Sequence, residues 1–162
     1  MSVLSTTLEI WESNRNRTLS LLEKISADDP SAESLIWRPG PERAHIAWQL
    51  LHIAVTEEIF ASELLASSSS RLGEWRDRFC NGSVPEDRSE TIEDIREVLT
   101  ESRRHLLETV ATYREDDLDQ VPTGLQERNW SFGRSLQILT WHEPHHHGQA
   151  HLTWNLWRQK ST

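Results

Sequence analysis

The sequence predicts an all-α protein, a four-helix bundle, on three observations. Apolar residues recur at steps of three and four along four long stretches, no stretch alternates with period two over a useful length, and glycine and proline number only six each in 162 residues. So few turn residues do not suit a loop-rich all-β fold. The length suits a single domain, residues 1–162, large enough to bury a real core, and no internal repeat or second domain is visible.

The first helix is expected over residues 3–27. Leu4, Leu8, Trp11, Leu19, Leu22 and Ile25 share mostly helical spacing, and Asp28-Asp29-Pro30 ends the pattern. The connector Trp37-Arg38-Pro39-Gly40-Pro41 cannot be helical. A second helix runs from about Ala44 to Ala66. Residues 67–88 open with four serines and read as a long loop, with room for a short helix within 71–80. The third helix starts near Thr91, where Thr91 and Asp94 form a capping box with Asp in the Glu position. Its stripe is Ile92, Ile95, Leu99, Ser102, Leu106, Val110 and Tyr113. A polar connector with Pro122 and Gly124 follows, and the last helix spans about Phe132 to Gln159. The connections are long, so crossovers are permitted and simple up-down-up-down order is not required.

Composition narrows the function. The formal charge is −9 and no run of Lys or Arg exceeds a pair, which argues against a nucleic-acid partner, since phosphate binding needs a basic footprint. Cys80 is the only cysteine, so no internal disulfide forms, and a reducing, cytoplasmic setting is expected. The first residues lack a basic and then apolar leader, and no stretch approaches the ~18–20 apolar residues of a membrane span. Eight tryptophans are expected chiefly to fill core and inter-helix space, with some free to line a pocket or a dimer face.

The tightest chemical cluster is Trp141-His142-Glu143-Pro144-His145-His146-His147-Gly148-Gln149, which holds four of the eight histidines. On a helix His142 and His146 stack on one face, about 6 Å apart along the axis, where two imidazoles can grip one divalent ion. A helical wheel puts His145, His146 and Gln149 near His142, in the arc of Ile138, Leu139, Leu156 and Trp157, so the pair faces the bundle interior. His147 and His151 fall on the other side, toward solvent or a partner subunit. Gln149 either supports a ligand or makes an ordinary interior hydrogen bond. On the second helix His52 shares the apolar stripe of Trp48, Gln49, Val55 and Ile59 and also points inward, while His45 lies about 10 Å further along the axis, too far to share one ion. Three neutral imidazoles bind zinc, nickel, iron(II) or manganese and leave positions for water or substrate.

The segment Leu50-Leu51-His52-Ile53-Ala54 with Glu57-Glu58, the later His142-to-Gln149 cluster, and Trp37-Arg38-Pro39 before the second helix together resemble the DinB-like superfamily over essentially the whole chain. The resemblance implies a four-helix bundle with up-down-down-up connectivity and a homodimer. It also implies one divalent metal, zinc or nickel foremost, held by His52, His142 and His146. The chain departs from the family where His147 stands in place of a frequent Arg, and at Pro144, which lacks an N–H and crowds the Thr140 carbonyl, so a kink or bulge is expected there.

His142-Glu143-Pro144-His145-His146 also satisfies H-E-x-x-H, the zinc-peptidase signature. No Asp or Glu follows His146 to supply a third ligand, and Gln149 and Leu152 stand where the extended motif needs Gly and His. That reading is set aside, which leaves Glu143 either orienting a ligand or facing solvent. Among its relatives the superfamily includes bacillithiol transferases and a mycothiol-dependent maleylpyruvate isomerase. The first functional reading is therefore a metal-dependent thiol S-transferase using a low-molecular-weight thiol and a small-molecule substrate. Hydrolysis by bound hydroxide, and a dimeric metal-binding or stress-response protein without turnover, stay open beside it. His45, His145, His147, His151 and Cys80 carry no assigned role, although Cys80 is weighed as a reactive thiol.

Overall fold

In the computed structural model, which describes residues 2–88 and 90–160, five α-helices carry the fold: α1 Val3–Asp28, α2 Ile46–Ile59, α3 Glu74–Phe79, α4 Ile92–Val110 and α5 Phe132–Lys160. No strand occurs among the described residues. Short 3-10 turns at Glu33–Leu35, Glu115–Asp117 and Thr123–Arg128 punctuate the connectors. The long loop after α2 does contain the short helix for which the sequence leaves room. No helix among the described residues is long and apolar enough to cross a membrane.

Local chemistry starts these helices. Ser2 and Ser5 form a capping box on α1, and Thr91 with Asp94 forms the one expected on α4. Ser131 accepts from the Arg134 N–H at the head of α5. His45 caps α2, its Nδ1 accepting from the Trp48 N–H at 3.1 Å and its Nε2–H donating to the Glu86 carbonyl at 2.8 Å. A buried polar ring with both nitrogens engaged is a structural part, and it gives this histidine a role the sequence left open. At its far end α2 widens into a π-helical segment, Phe60–Leu65, against which the Thr123–Arg128 turn packs. A Cβ on Gly124 would come within 2.9 Å of Leu64 Cα and closer to the Glu63 and Leu64 carbonyl oxygens, so only glycine fits.

Side-chain pairings set the directions of the four long helices. Trp11 meets Thr140 and Arg15 meets Glu143, so α1 and α5 run parallel. Gln49 meets Gln149 while His52 meets His142, so α2 and α5 are antiparallel. Glu57 bonds Arg103 and Tyr113 bonds the Leu65 carbonyl, so α2 and α4 are parallel. Arg96 meets Glu23 and Arg103 meets the Trp11 carbonyl, so α4 opposes α1. The order is up-down-down-up.

Pro144 produces no break: α5 runs unbroken from Phe132 to Lys160. The expected disruption is answered from α1. The Asn14 amide donates to the Thr140 carbonyl at 3.3 Å, the acceptor that proline's missing N–H leaves free, and Trp11 Nε1–H donates to Thr140 Oγ1 at 3.0 Å. The tryptophans largely meet expectation, with Trp48, Trp75, Trp130 and Trp157 packed against the core that Trp11 and Trp154 help to form. Only Trp11 and Trp154 are fully buried, five others are half-buried, and Trp141 is 55% exposed.

The apolar core comes in two parts. One holds Leu22, Ile25, Leu50, Ile95, Leu99 and Trp154; the other holds Trp11, Phe60, Leu106, Phe132, Leu136 and Leu139. Between them lies a polar layer, and the candidate site belongs to it.

Candidate metal centre

His52, His142 and His146 come together at mid-bundle, each offering a ring nitrogen, all within 4.8 Å of one another. The His52 and His142 Nε2 atoms stand 3.3 Å apart. Tetrahedral ligation at ~2.0–2.1 Å separates ligand nitrogens by about 3.3 Å, so this edge already has the spacing of a metal polyhedron. His52 and His142 are buried and His146 is half-buried.

The hydrogen bonds decide which nitrogen each ring presents. The His52 Nδ1–H donates to the Phe79 carbonyl at 2.7 Å, leaving the Nε2 lone pair inward. The His146 Nδ1–H donates to Gln49 Oε1 at 2.6 Å, with the same result. A second ring nitrogen held by a carbonyl or amide is the usual support of a ligating histidine. The Trp48 ring stacks on His52, 4.6 Å between centroids and 10° from parallel, which fixes the ring plane. Gln49 in turn donates to Gln149 Oε1 at 3.0 Å, and Gln149 Nε2 contacts His145 Nε2 at 2.7 Å. Gln149 is thus linked to His146 through Gln49, although Gln149 and His145 themselves are exposed rather than interior.

The rings are neutral at physiological pH, as metal ligation requires. Burial holds His142 down at about 4, and the neighbouring His52 ring adds to it. Burial together with His142 and His52 holds His146 at about 3. Burial also lowers His52, against the opposing hydrogen bond to Phe79. The donor set of three neutral imidazole nitrogens fits a borderline divalent ion such as zinc or nickel.

Beneath the imidazoles lies a buried tetrad that the sequence reading missed. Arg15 of α1 bonds Glu57 of α2 at 2.9 Å and Glu143 of α5 at 2.8 Å, and Arg103 of α4 bonds the same two carboxylates at 2.5 and 2.6 Å. Each long helix contributes one member, and two guanidiniums balance two carboxylates. Burial works against the Glu57 carboxylate, but Arg15 and Arg103 outweigh it and hold it below its ordinary range. Glu143 is 2% exposed, so it does not face solvent, and its carboxylate is taken up by Arg15 and Arg103. His105, also passed over in the sequence, pairs with Glu58 at 2.7 Å in the same layer. Helical spacing was the only available signal: Glu57 and Glu143 each follow an inward-facing histidine, by five positions and by one.

The remaining candidates lie elsewhere. His147 and His151 line a groove between α1 and α5, and Cys80 ends α3, half-buried. The Cys80 thiol donates to the Asp77 carbonyl at 3.7 Å and packs against the first part of the core.

The sequence model of the DinB superfamily matches residues 10–150. No curated protein matches the chain.

Proposed function

The chain belongs to the DinB superfamily, and from that premise we propose that it is a metal-dependent thiol S-transferase or closely related small-molecule enzyme, with His52, His142 and His146 as the ligands of one divalent ion, zinc or nickel foremost. A divalent ion bound there supplies Lewis acidity, lowering the pKa of a thiol or a water in a position the protein leaves open. The proposal includes assembly as a homodimer in a reducing, cytoplasmic setting that keeps a low-molecular-weight thiol reduced.

One observation carries the choice of a thiol over a water. A hydrolytic site of the H-E-x-x-H kind needs a free carboxylate as general base beside the ligands. Here Glu143, the carboxylate in that position, is buried and held by Arg15 and Arg103 at once, and Glu57 is held by the same pair. Neither carboxylate is available to take a proton from water. A thiol needs no such base, because coordination alone suffices to deprotonate it. Within the chain, His52 and His146 are oriented by Phe79 and Gln49, Trp48 holds the His52 plane, and the buried tetrad keeps α5 in register with α2.

The test is metal content followed by thiol binding. Protein prepared without chelator or affinity tag is expected to carry about one metal per chain, and His52→Ala is expected to abolish it while helical content stays largely intact. Cobalt-substituted protein titrated with small thiols should develop a thiolate-to-cobalt charge-transfer band. A cobalt protein that binds metal yet responds to no thiol sinks the transferase reading. A wild type that holds no metal sinks the metal centre itself.

A further inference from the structure

We propose that the groove between α1 and α5 is a second ligand site, for a linear zwitterion with a carboxylate or phosphate at one end and an ammonium at the other. The groove has a volume of about 650 Å³, within the range of small-molecule sites. Glu9, Glu12, Arg17, Lys24, His147 and His151 line it. The contacts Trp11–Thr140 and Arg15–Glu143 set a register offset of 129 and 128 residues between the two parallel helices. Arg17 and Lys24 therefore flank the level of His147 and His151, while Glu9 and Glu12 lie toward the other end.

The charges are sorted along the groove and none is used internally. Most arginines of this chain are engaged, in ion pairs with Glu or Asp or over an aromatic ring. Glu9, Glu12, Arg17 and Lys24 make no ion pair or side-chain hydrogen bond among the described residues. The half-buried His147 ring lines the basic end of the groove beside His151. An anionic group seated between Arg17, Lys24 and His151 reaches that ring. Glu12 and Arg17 are five residues apart, about 7.5 Å along the axis, so an ammonium at that remove from the anion meets the acidic end. A polyanion is disfavoured by the two glutamates, and a simple cation by Arg17 and Lys24. The site is separate from the imidazole centre, because His147 and His151 leave α5 on a different face from His142 and His146.

The test uses 6-aminohexanoate, whose charges stand about 7 Å apart when extended, beside hexanoate and hexylamine, with the His147 and His151 ring resonances as readout. The zwitterion is expected to shift both rings saturably and to bind about fivefold more tightly than either singly charged probe, the gain of one partly exposed charge pair. Arg17→Ala should bring it down to the hexylamine level and Glu12→Gln to the hexanoate level, while Arg17→Lys keeps most of the affinity. Both positions are exposed, so helical content should not change. His52→Ala should leave the response unchanged, separating this groove from the metal centre. Equal affinities for the three probes, no shift at about 50 mM, or variants that bind like the wild type would overturn the assignment.

Discussion

Replacing Glu143 by glutamine removes one charge from the buried tetrad and leaves the shape nearly unchanged. Glu143 meets Arg15 at 2.8 Å and Arg103 at 2.6 Å, and it repels Glu57 across the same cluster. With charge centres about 4 Å apart and an effective dielectric of about 20, each attraction is worth about 4 kcal/mol, and the repulsion over a slightly longer distance about 3 kcal/mol. The net loss is about 5 kcal/mol. Glutamine's amide oxygen still accepts a hydrogen bond from one arginine, returning about 1–1.5 kcal/mol. The expected destabilisation is therefore about 3–4 kcal/mol, in line with the ~3–5 kcal/mol of other broken buried pairs. Urea unfolding of the metal-free protein, followed by helical circular dichroism, measures it. Glu108→Gln is the control: its pairs with Arg71 and Arg104 lie on the surface, where solvent screens them, so its loss should be small beside that of Glu143→Gln. Adding Arg15→Met to Glu143→Gln restores neutrality, so the double variant should lose less than the sum of the singles. An E143Q protein as stable as E108Q would refute the view that these four charges act as one desolvated unit.

Acid should act on the imidazole cluster later than on an exposed histidine. His142 and His146 are depressed to about 4 and about 3 in the folded protein, against about 6.5 in an unfolded chain. Their contribution to the stability of the metal-free protein is thus complete above about pH 6.5 and lost as pH falls toward those values. For the same reason cobalt absorbance should hold from about pH 8 to about pH 5 and fade below, and a release midpoint near 6.5 would contradict the burial argument. Gly124→Ala forces a Cβ into the backbone at Glu63 and Leu64 and should cost about 1–3 kcal/mol in urea unfolding. An unchanged midpoint would show that the turn can retreat from α2.

Much of this architecture was legible because it rests on local, periodic signals. The stripe of Ile92, Ile95, Leu99, Leu106 and Val110 marks α4, and the Thr91–Asp94 box marks its start. His142 and His146 share a helix face by spacing alone, and His52 sits in an apolar stripe, so their convergence was foreseeable. The errors came where a distant segment changed the outcome. Pro144 was expected to disturb α5, but Asn14, 126 residues away, supplies the hydrogen bond that the Thr140 carbonyl would otherwise lack. Glu143 was expected to be a flanking group, and the arginines that bury it lie on α1 and α4.

What the sequence by itself determined was the helices, their inward faces and the type of donor each face carries, because those follow from periodicity within one segment. Which donors are free was decided only by tertiary structure. The backbone carbonyl of Phe79 turns the His52 ring, and no side chain announces it. Charges on four separate helices cancel one another, leaving imidazoles rather than carboxylates as the donors this layer can offer a metal ion. Pairing energies of that kind depend on distances of a few ångströms between residues tens of positions apart, and no local pattern encodes them.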